Sequence, residues 1–232
     1  MRHSILAVLL LAAAASAQTE PPDVLSDSVR HALQIELRHM AETDQRVRSM
    51  YEFGTFSPCV ADSIRQSLDG LPMDEQFARE QTLRAEAEAR TNSVERDILR
   101  RMMNDADYAI QERLREIIAE HGWPSDERTG ADVSPVVFLL HAPDRMDEMR
   151  DELMAEVRAG RLPAREFAMA IDKSRVVYGE LQLYGTGNEF DSATQSVQPP
   201  RVADIDATNA ARAAIGLDPL DAYREVASPG GR

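Results

Sequence analysis

V-E-R-D-I-L-R-R-M-M-N-D-A-D-Y-A-I-Q-E-R-L-R-E-I-I-A-E-H-G-W-P, residues 94–124, decides the fold class. Val94, Ile98, Met102, Ala106, Ile110, Leu114 and Ile117 recur at steps of three and four. That spacing gathers them on one face of an α-helix, where 3.6 residues make a turn. Gly122 is a natural left-handed stop, and Pro124 prevents continuation. The same signature returns on both sides. Upstream, Val29, Leu33, Ile35, Leu37, Met40, Val47 and Met50 form a helical pattern opened by Ser26 or Asp27 and closed near Gly54. Ser57-Pro58 reads as the N-cap and first position of a short helix ending at Gly70. Pro72 opens the stretch that runs through the quoted segment to His121, and its polar part, residues 81–93, reads as a solvated helical arm.

Downstream, Gly130 to His141 is apolar nearly all round and reads as a central buried helix. Asp144–Ala159 and Pro163–Tyr178 follow as helices, each with a Gly at its end. Leu181 to Tyr184 alternates, but over too few residues to be more than an extended piece. Residues 185–204 read as loop, and Asp206 or Thr208 starts a last helix to Gly216, after which Pro219 can open a final one. The expectation is an all-α fold, an irregular multi-helix bundle with one short extended segment near its C-terminal third.

Composition supports this and excludes several functions. Of 232 residues, 43% are hydrophobic, 28% charged and only 5% aromatic, a globular balance that favours helix over sheet. The net charge of −14 argues against nucleic acid or an anionic membrane as partner. One cysteine, Cys59, excludes an internal disulfide framework and a Cys-rich metal centre, and reads as a small buried residue. The first residues read as an address. Met1-Arg2-His3 is basic, Ile5 to Ala15 is apolar over 11 residues, and Ala15-Ser16-Ala17 is a small-residue cleavage pattern. Eleven residues fall short of the roughly 20 that span a bilayer. The chain therefore divides into a signal peptide at 1–17, N-terminal helices with the polar arm at 18–93, a motif-bearing helical domain at 94–227 and a loose tail at 228–232. No membrane span is expected after cleavage.

Several polar residues sit beside apolar faces. His141 ends an apolar helix, where it serves as a general base or donor, or is satisfied by helix carbonyls. Asp172 has Arg175 one turn on, as a surface ion pair or as a buried charge that orients a histidine. Gln182, Tyr184 and Thr186 share parity, so an extended segment would project them to one side as a polar wall. Asp44 and Arg48 are an i, i+4 pair. Trp123, the only tryptophan, stands at a Gly-Trp-Pro corner, over the core or at a pocket.

These residues also carry a resemblance. D-Q-R-V-R at 44–48, G-W-P at 122–124, L-H-A at 140–142, D-K-S-R at 172–175, Q-L-Y-G-T at 182–186 and R-A-A-I-G-L from Arg212 occur in that order. In order and spacing the chain resembles an uncharacterised bacterial family, a domain of unknown function, from about Leu37 to Leu220. The resembled pattern has Gln where this chain has Leu140, Arg at Lys173 and Gln at Gly187. The resemblance implies a shared site among Asp44, Arg48, Trp123, His141, Asp172, Gln182, Tyr184, Thr186 and Arg212, with no reaction or cofactor attached.

Two functions fit. One is an exported binding module whose polar inter-helix site takes a small molecule or a protein. The alternative is a secreted hydrolase in which His141 and Asp172 activate water, Tyr184 and Gln182 hold the substrate, and Arg48 or Arg212 meets an anionic group. A metal held by His121, His141, Asp144 and Asp172 has no recognised ligand spacing, so none is assigned. Export has a direct test. Mass spectrometry of mature protein from the native host should find Gln18 at the N-terminus, and retained Met1 would refute the address.

Overall fold

The computed structural model describes residues 21, 24–191 and 196–220. The address at 1–17, the tail at 228–232 and all but the start of the final helix expected from Pro219 lie outside the described residues. Among those described, helix dominates. α1 (Asp27–Glu52) starts at Ser26, whose hydroxyl oxygen accepts from the Val29 N–H at 3.4 Å. α2 (Pro58–Gln66) starts at Ser57 with Pro58 in its first turn.

The stretch from Pro72 to His121 is two helices, α3 (Met73–Arg90) and α4 (Ser93–His121). Thr91 turns extended, with φ −90° and ψ 126°, and Asn92 begins anew. The Asn92 side chain accepts from the Glu95 N–H and the Glu95 carboxylate accepts from the Asn92 N–H, both at 3.0 Å. This reciprocal cap satisfies two orphan donors and makes the break favourable. The polar arm is tethered as well as solvated. Arg84 bonds Glu52 at 2.9 Å, Arg90 bonds the Phe53 carbonyl at 3.0 Å, and Ala87 is fully buried.

α4 buries the expected stripe from Ile110 to Ile117, but its N-terminal half turns a different face inward. Leu99, Asp107, Ile110, Gln111, Leu114, Ile117 and Ile118 face inward, while Val94, Ile98 and Met102 are exposed. The inward face includes two polar residues whose partners lie on other helices. The apolar segment before His141 also divides. α5 (Asp126–Thr129) stops at Gly130 in the left-handed region, φ +69°. Pro135, with fixed φ and no N–H, starts α6 (Val136–His141). A 3₁₀ turn at Pro143–Arg145 leads into α7 (Met146–Arg158), followed by α8 (Ala164–Val177).

The loop expected over 185–204 contains a hairpin. β1 (Glu189–Asp191) pairs antiparallel with β2 (Ser196–Gln198), Glu189 opposite Gln198. Beyond it Gln182 bridges Val202, its N–H reaching the Arg201 carbonyl at 3.0 Å. α9 (Ile205–Ala214) begins one residue before Asp206 and three before Thr208, because Asp204 caps it by accepting from the Ala207 N–H at 2.7 Å. The fold class remains all-α. Cys59 is exposed, against the buried position expected of it. No helix among the described residues is long and apolar enough to cross a membrane.

α1 packs on α4, α4 on α6, α6 on α8 and α8 on α7. Leu37, Leu114, Ile117, Trp123, Phe138 and Phe167 centre one continuous core. Trp123 is wholly buried and belongs to this core. Its corner is held by Glu156, which is 4% exposed. One Glu156 oxygen accepts from the Trp123 N–H at 2.6 Å and from Arg161 Nε at 2.7 Å, and the other accepts from Arg161 Nη2 at 2.8 Å. Burial pushes this carboxyl up, but the Arg161 bonds, the Trp123 N–H and the arginine charges outweigh it and hold it below its ordinary value. A lowered folded pKa stabilises above the unfolded carboxylate range, and that contribution is lost as pH falls through the folded value. Glu156→Gln should therefore cost about 3 kcal/mol at pH 7. Its stability should also fall less than the wild type's on acidification, as read by Trp123 fluorescence in urea.

Candidate functional site

Asp172 lies on the inner face of α8 and is 2% exposed. Arg175, its expected partner, is turned elsewhere, to the Leu181 carbonyl at 2.7 Å and Glu180 at 3.0 Å. The carboxylate instead gathers the Q-L-Y-G-T segment. Oδ1 accepts from the Leu183 and Tyr184 N–H groups at 2.7 and 2.9 Å. Oδ2 accepts from the Thr186 N–H and hydroxyl, both at 2.8 Å. The segment is thus curled around a carboxylate and is not an extended wall. Gly185, at φ +66°, makes the turn, and the shared side expected for Gln182, Tyr184 and Thr186 is lost there.

Three further contacts lock the loop. The Gln182 amide donates to the Gly187 carbonyl at 2.6 Å and accepts from the Gly187 N–H at 2.9 Å, pairing like a short strand. Arg212, 6% exposed, donates to the Tyr184 carbonyl at 2.7 Å and the Asp218 carbonyl at 2.5 Å. The Tyr184 ring meets Phe167 edge-on, with centroids 6.1 Å apart. Burial pushes the Tyr184 hydroxyl pKa up, with Arg150 opposing and Asp172 adding, so the phenol stays protonated. Both Asp172 oxygens and the Gln182 amide are satisfied within the chain, and Arg212 is turned to backbone. These motif residues build a rigid loop.

His141 belongs to a second cluster, and its carboxylate partner is Asp44. His141 Nδ1 lies 2.7 Å from Asp44 Oδ1 and 2.8 Å from Arg48 Nε, while Arg48 Nε is 3.1 Å from the same oxygen. A ring nitrogen either donates or accepts. With the proton on Nδ1, the buried Asp44 carboxylate gains two donors, the arrangement burial favours, and Nε2 is left as an acceptor. Gln45 supplies a third donor, to Asp44 Oδ2 at 2.9 Å. Arg48 Nη2 reaches Asp107 on α4 at 2.6 Å. One guanidinium thus stands between two buried carboxylates. Burial raises the Asp44 carboxyl, but His141 and Arg48 outweigh it and bring it below its ordinary value. Asp107 lacks a histidine. Burial raises it, Arg48 only partly offsets this, and the Asp44 charge raises it further.

The expected convergence of His141 and Asp172 into one dyad is therefore replaced by two clusters, with Arg48 in the first and Arg212 in the second. They adjoin through α6, which packs on both α4 and α8. His141 ends that helix, and Leu140 beside it faces a cleft of about 270 Å³. Leu140, Met169 and Val176 make the apolar side of the cleft. Asp172, Gln182, Thr186 and Gly187 make the loop side, with Lys173 and Asn188 completing the lining. Leu140, Lys173 and Gly187, the three departures from the resembled pattern, all line this one cleft.

The residues suggested for a metal do not assemble. His121 faces Glu120 at 3.5 Å, Asp144 accepts from the Tyr108 hydroxyl at 2.7 Å, and the other two serve the separate clusters. Among the described residues no group of three or more His, Cys, Asp or Glu side chains is placed to hold a metal ion.

Sequence reading missed Asp107 and Gln111, and gave Lys173 only as a departure from the resembled pattern. Gln111 donates to the Ala142 carbonyl at 2.9 Å and steadies the end of α6. Asp107 and Gln111 were detectable as polar residues at the helical spacing of Leu99, Leu114 and Ile118. Lys173 had a plainer signal: it is the only lysine among 26 basic residues.

The sequence profile of a family described as a family of unknown function, DUF6624, matches residues 62–228. Every residue lining the cleft falls inside that match, whereas Asp44 and Arg48 precede it. No curated protein and no solved structure matches the chain.

Asp172→Asn tests the loop's dependence on a carboxylate. The amide offers one acceptor oxygen and turns an N–H₂ toward two donors. A loss of about 2–4 kcal/mol is expected, from donors left unpaired in the interior. Limited proteolysis should also open the chain between residues 181 and 188. Unchanged stability would show that the four hydrogen bonds contribute nothing net.

Proposed function

We propose that this chain, which belongs to the family of unknown function DUF6624, is an exported module that binds a small molecule in the cleft beside α8. The observation that carries the reading is the use made of Asp172. Its four hydrogen bonds fix the loop wall and leave the carboxylate no vacant lone-pair direction for proton transfer. A site whose polar residues are consumed in holding a wall is suited to recognition, since a preorganised wall loses little entropy on binding. The cleft, at about 270 Å³, lies just under the range of ligand pockets, which run from about 300 Å³ upward, and it joins apolar and polar sides as such pockets do. Export is supported by the basic, apolar and small-residue order of the first 17 residues.

A second reading has its own observation. The Asp44–His141 contact at 2.7 Å, with the His141 side chain 24% exposed, is an arrangement in which a carboxylate sets the tautomer of a base. In that reading a hydrolase would use His141 Nε2 to activate water, and Asp44 would replace Asp172 as the orienting group.

The two readings separate experimentally. A fragment library followed by NMR of methyl-labelled methionine should yield ligands that shift the Met169 signal and leave Met40 and Met50, outside the cleft, in place. His141→Ala should leave their affinity within about twofold, since the imidazole lies outside the lining. Hydrolysis of an ester, amide or glycoside substrate that disappears with His141→Ala would transfer the function to the Asp44–His141 pair.

A further inference from the structure

The chain carries 26 basic residues, of which 25 are arginine and one is lysine, Lys173. Arginine does the structural work. Arg48 joins Asp44 and Asp107, Arg84 joins Glu52, Arg115 joins Glu152, and Arg161 joins Glu156. Lys173 has no ion pair or hydrogen bond to any described residue, and it lines the cleft. It also follows Asp172 directly, but that carboxylate already holds four donors. The amine is therefore the one cationic group of the lining and has no anion of its own there.

The rest of the lining narrows what would meet it. The Gln182 amide is closed on Gly187 at both ends, and the Thr186 hydroxyl donates to Asp172. The donors left over among the described lining residues are the Lys173 ammonium, the Asn188 amide and the second Gln182 N–H, so the complementary ligand group is an acceptor, and the one full charge among them favours an anionic one. The one ammonium of the lining supplies a single positive charge, which suits a carboxylate better than a phosphate dianion. Leu140, Met169 and Val176 offer the other side an apolar surface.

We propose that the cleft takes a small monocarboxylate with a short apolar body, its carboxylate on the Lys173 amine and its chain against Leu140, Met169 and Val176. This rests on the cleft being the binding site. In a chain of net charge −14 long-range attraction does not draw an anion in, so such binding depends on local contacts such as the Lys173 amine.

A lone lysine gives a direct readout. Full-length mature protein labelled with ¹³C at lysine Cε shows one lysine signal, from Lys173, and methyl-labelled methionine reports Met169 independently. The probes are linear carboxylates of four to eight carbons, hexanamide and hexyl phosphate. Hexanoate should move the Lys173 and Met169 signals together and saturably, and hexanamide should bind at least about tenfold more weakly, the size of one charge-assisted hydrogen bond. Lys173→Met should lose a similar factor while Lys173→Arg keeps the affinity. Lys173 is exposed, so neither change threatens folding. Equal binding of hexanoate and hexanamide, or full affinity in Lys173→Met, overturns this inference and leaves the cleft as a binding site. Tighter binding of hexyl phosphate overturns the carboxylate assignment. If no probe moves either signal, both the inference and the binding reading fall.

Discussion

The C-terminal third of the molecule depends on one buried carboxylate. Asp172 stands on a helix in the core and takes three backbone N–H groups and a hydroxyl from a loop that would otherwise have to leave those donors in water or unpaired. An ionised group with four well-placed donors is stable away from solvent, where a bare charge would not be. The loop, once fixed, offers its carbonyls to Arg175 and Arg212 and its Gln182 to Gly187. A parallel bridge from Gln182 to Val202 then leads toward α9. A charge on a helix thus organises a loop, and the loop gives the cleft its wall.

The same device recurs. Glu156 organises the Gly-Trp-Pro corner, and Asp44 organises the junction of α1 with α6. In each case a carboxylate inside an acidic protein is matched by backbone donors, an arginine or both. Such networks persist only when nearly every member is satisfied, because a half-satisfied buried charge is costly. Motif residues of this kind look catalytic in a sequence, being polar amid apolar neighbours. Here Asp172 and Arg212 form bonds that make the architecture.

What was legible in the sequence follows the range of the interaction. Ser26 and Ser57-Pro58 announce their helices because a cap is a contact over three residues. Asn92 and Glu95 announced theirs equally, as a reciprocal cap, but were overrun by the longer apolar period on either side. Pro135 likewise marked a start that the apolar run around it concealed. The buried face of α4 was misjudged because Asp107 is inward-facing only on account of Arg48, some sixty residues earlier in the chain. The pairing of His141 with Asp44 spans 97 positions, and nothing local distinguishes it from a pairing with Asp172. The motif residues were identifiable as a set, but their grouping into two clusters is a tertiary property.

The near absence of lysine has a practical side. Aldehyde fixation, glycation, carbamylation and amine-directed immobilisation all seek primary amines, and arginine is largely inert to them. On this molecule such chemistry is directed to the α-amino group and to the mouth of the cleft. A surface coupled through amines would hold the protein by the opening of the cleft. A fluorophore attached in the same way would sit at that opening as a ready-made competitor. Coupling through the exposed Cys59 thiol on α2, which lies outside the cleft lining, leaves the opening clear.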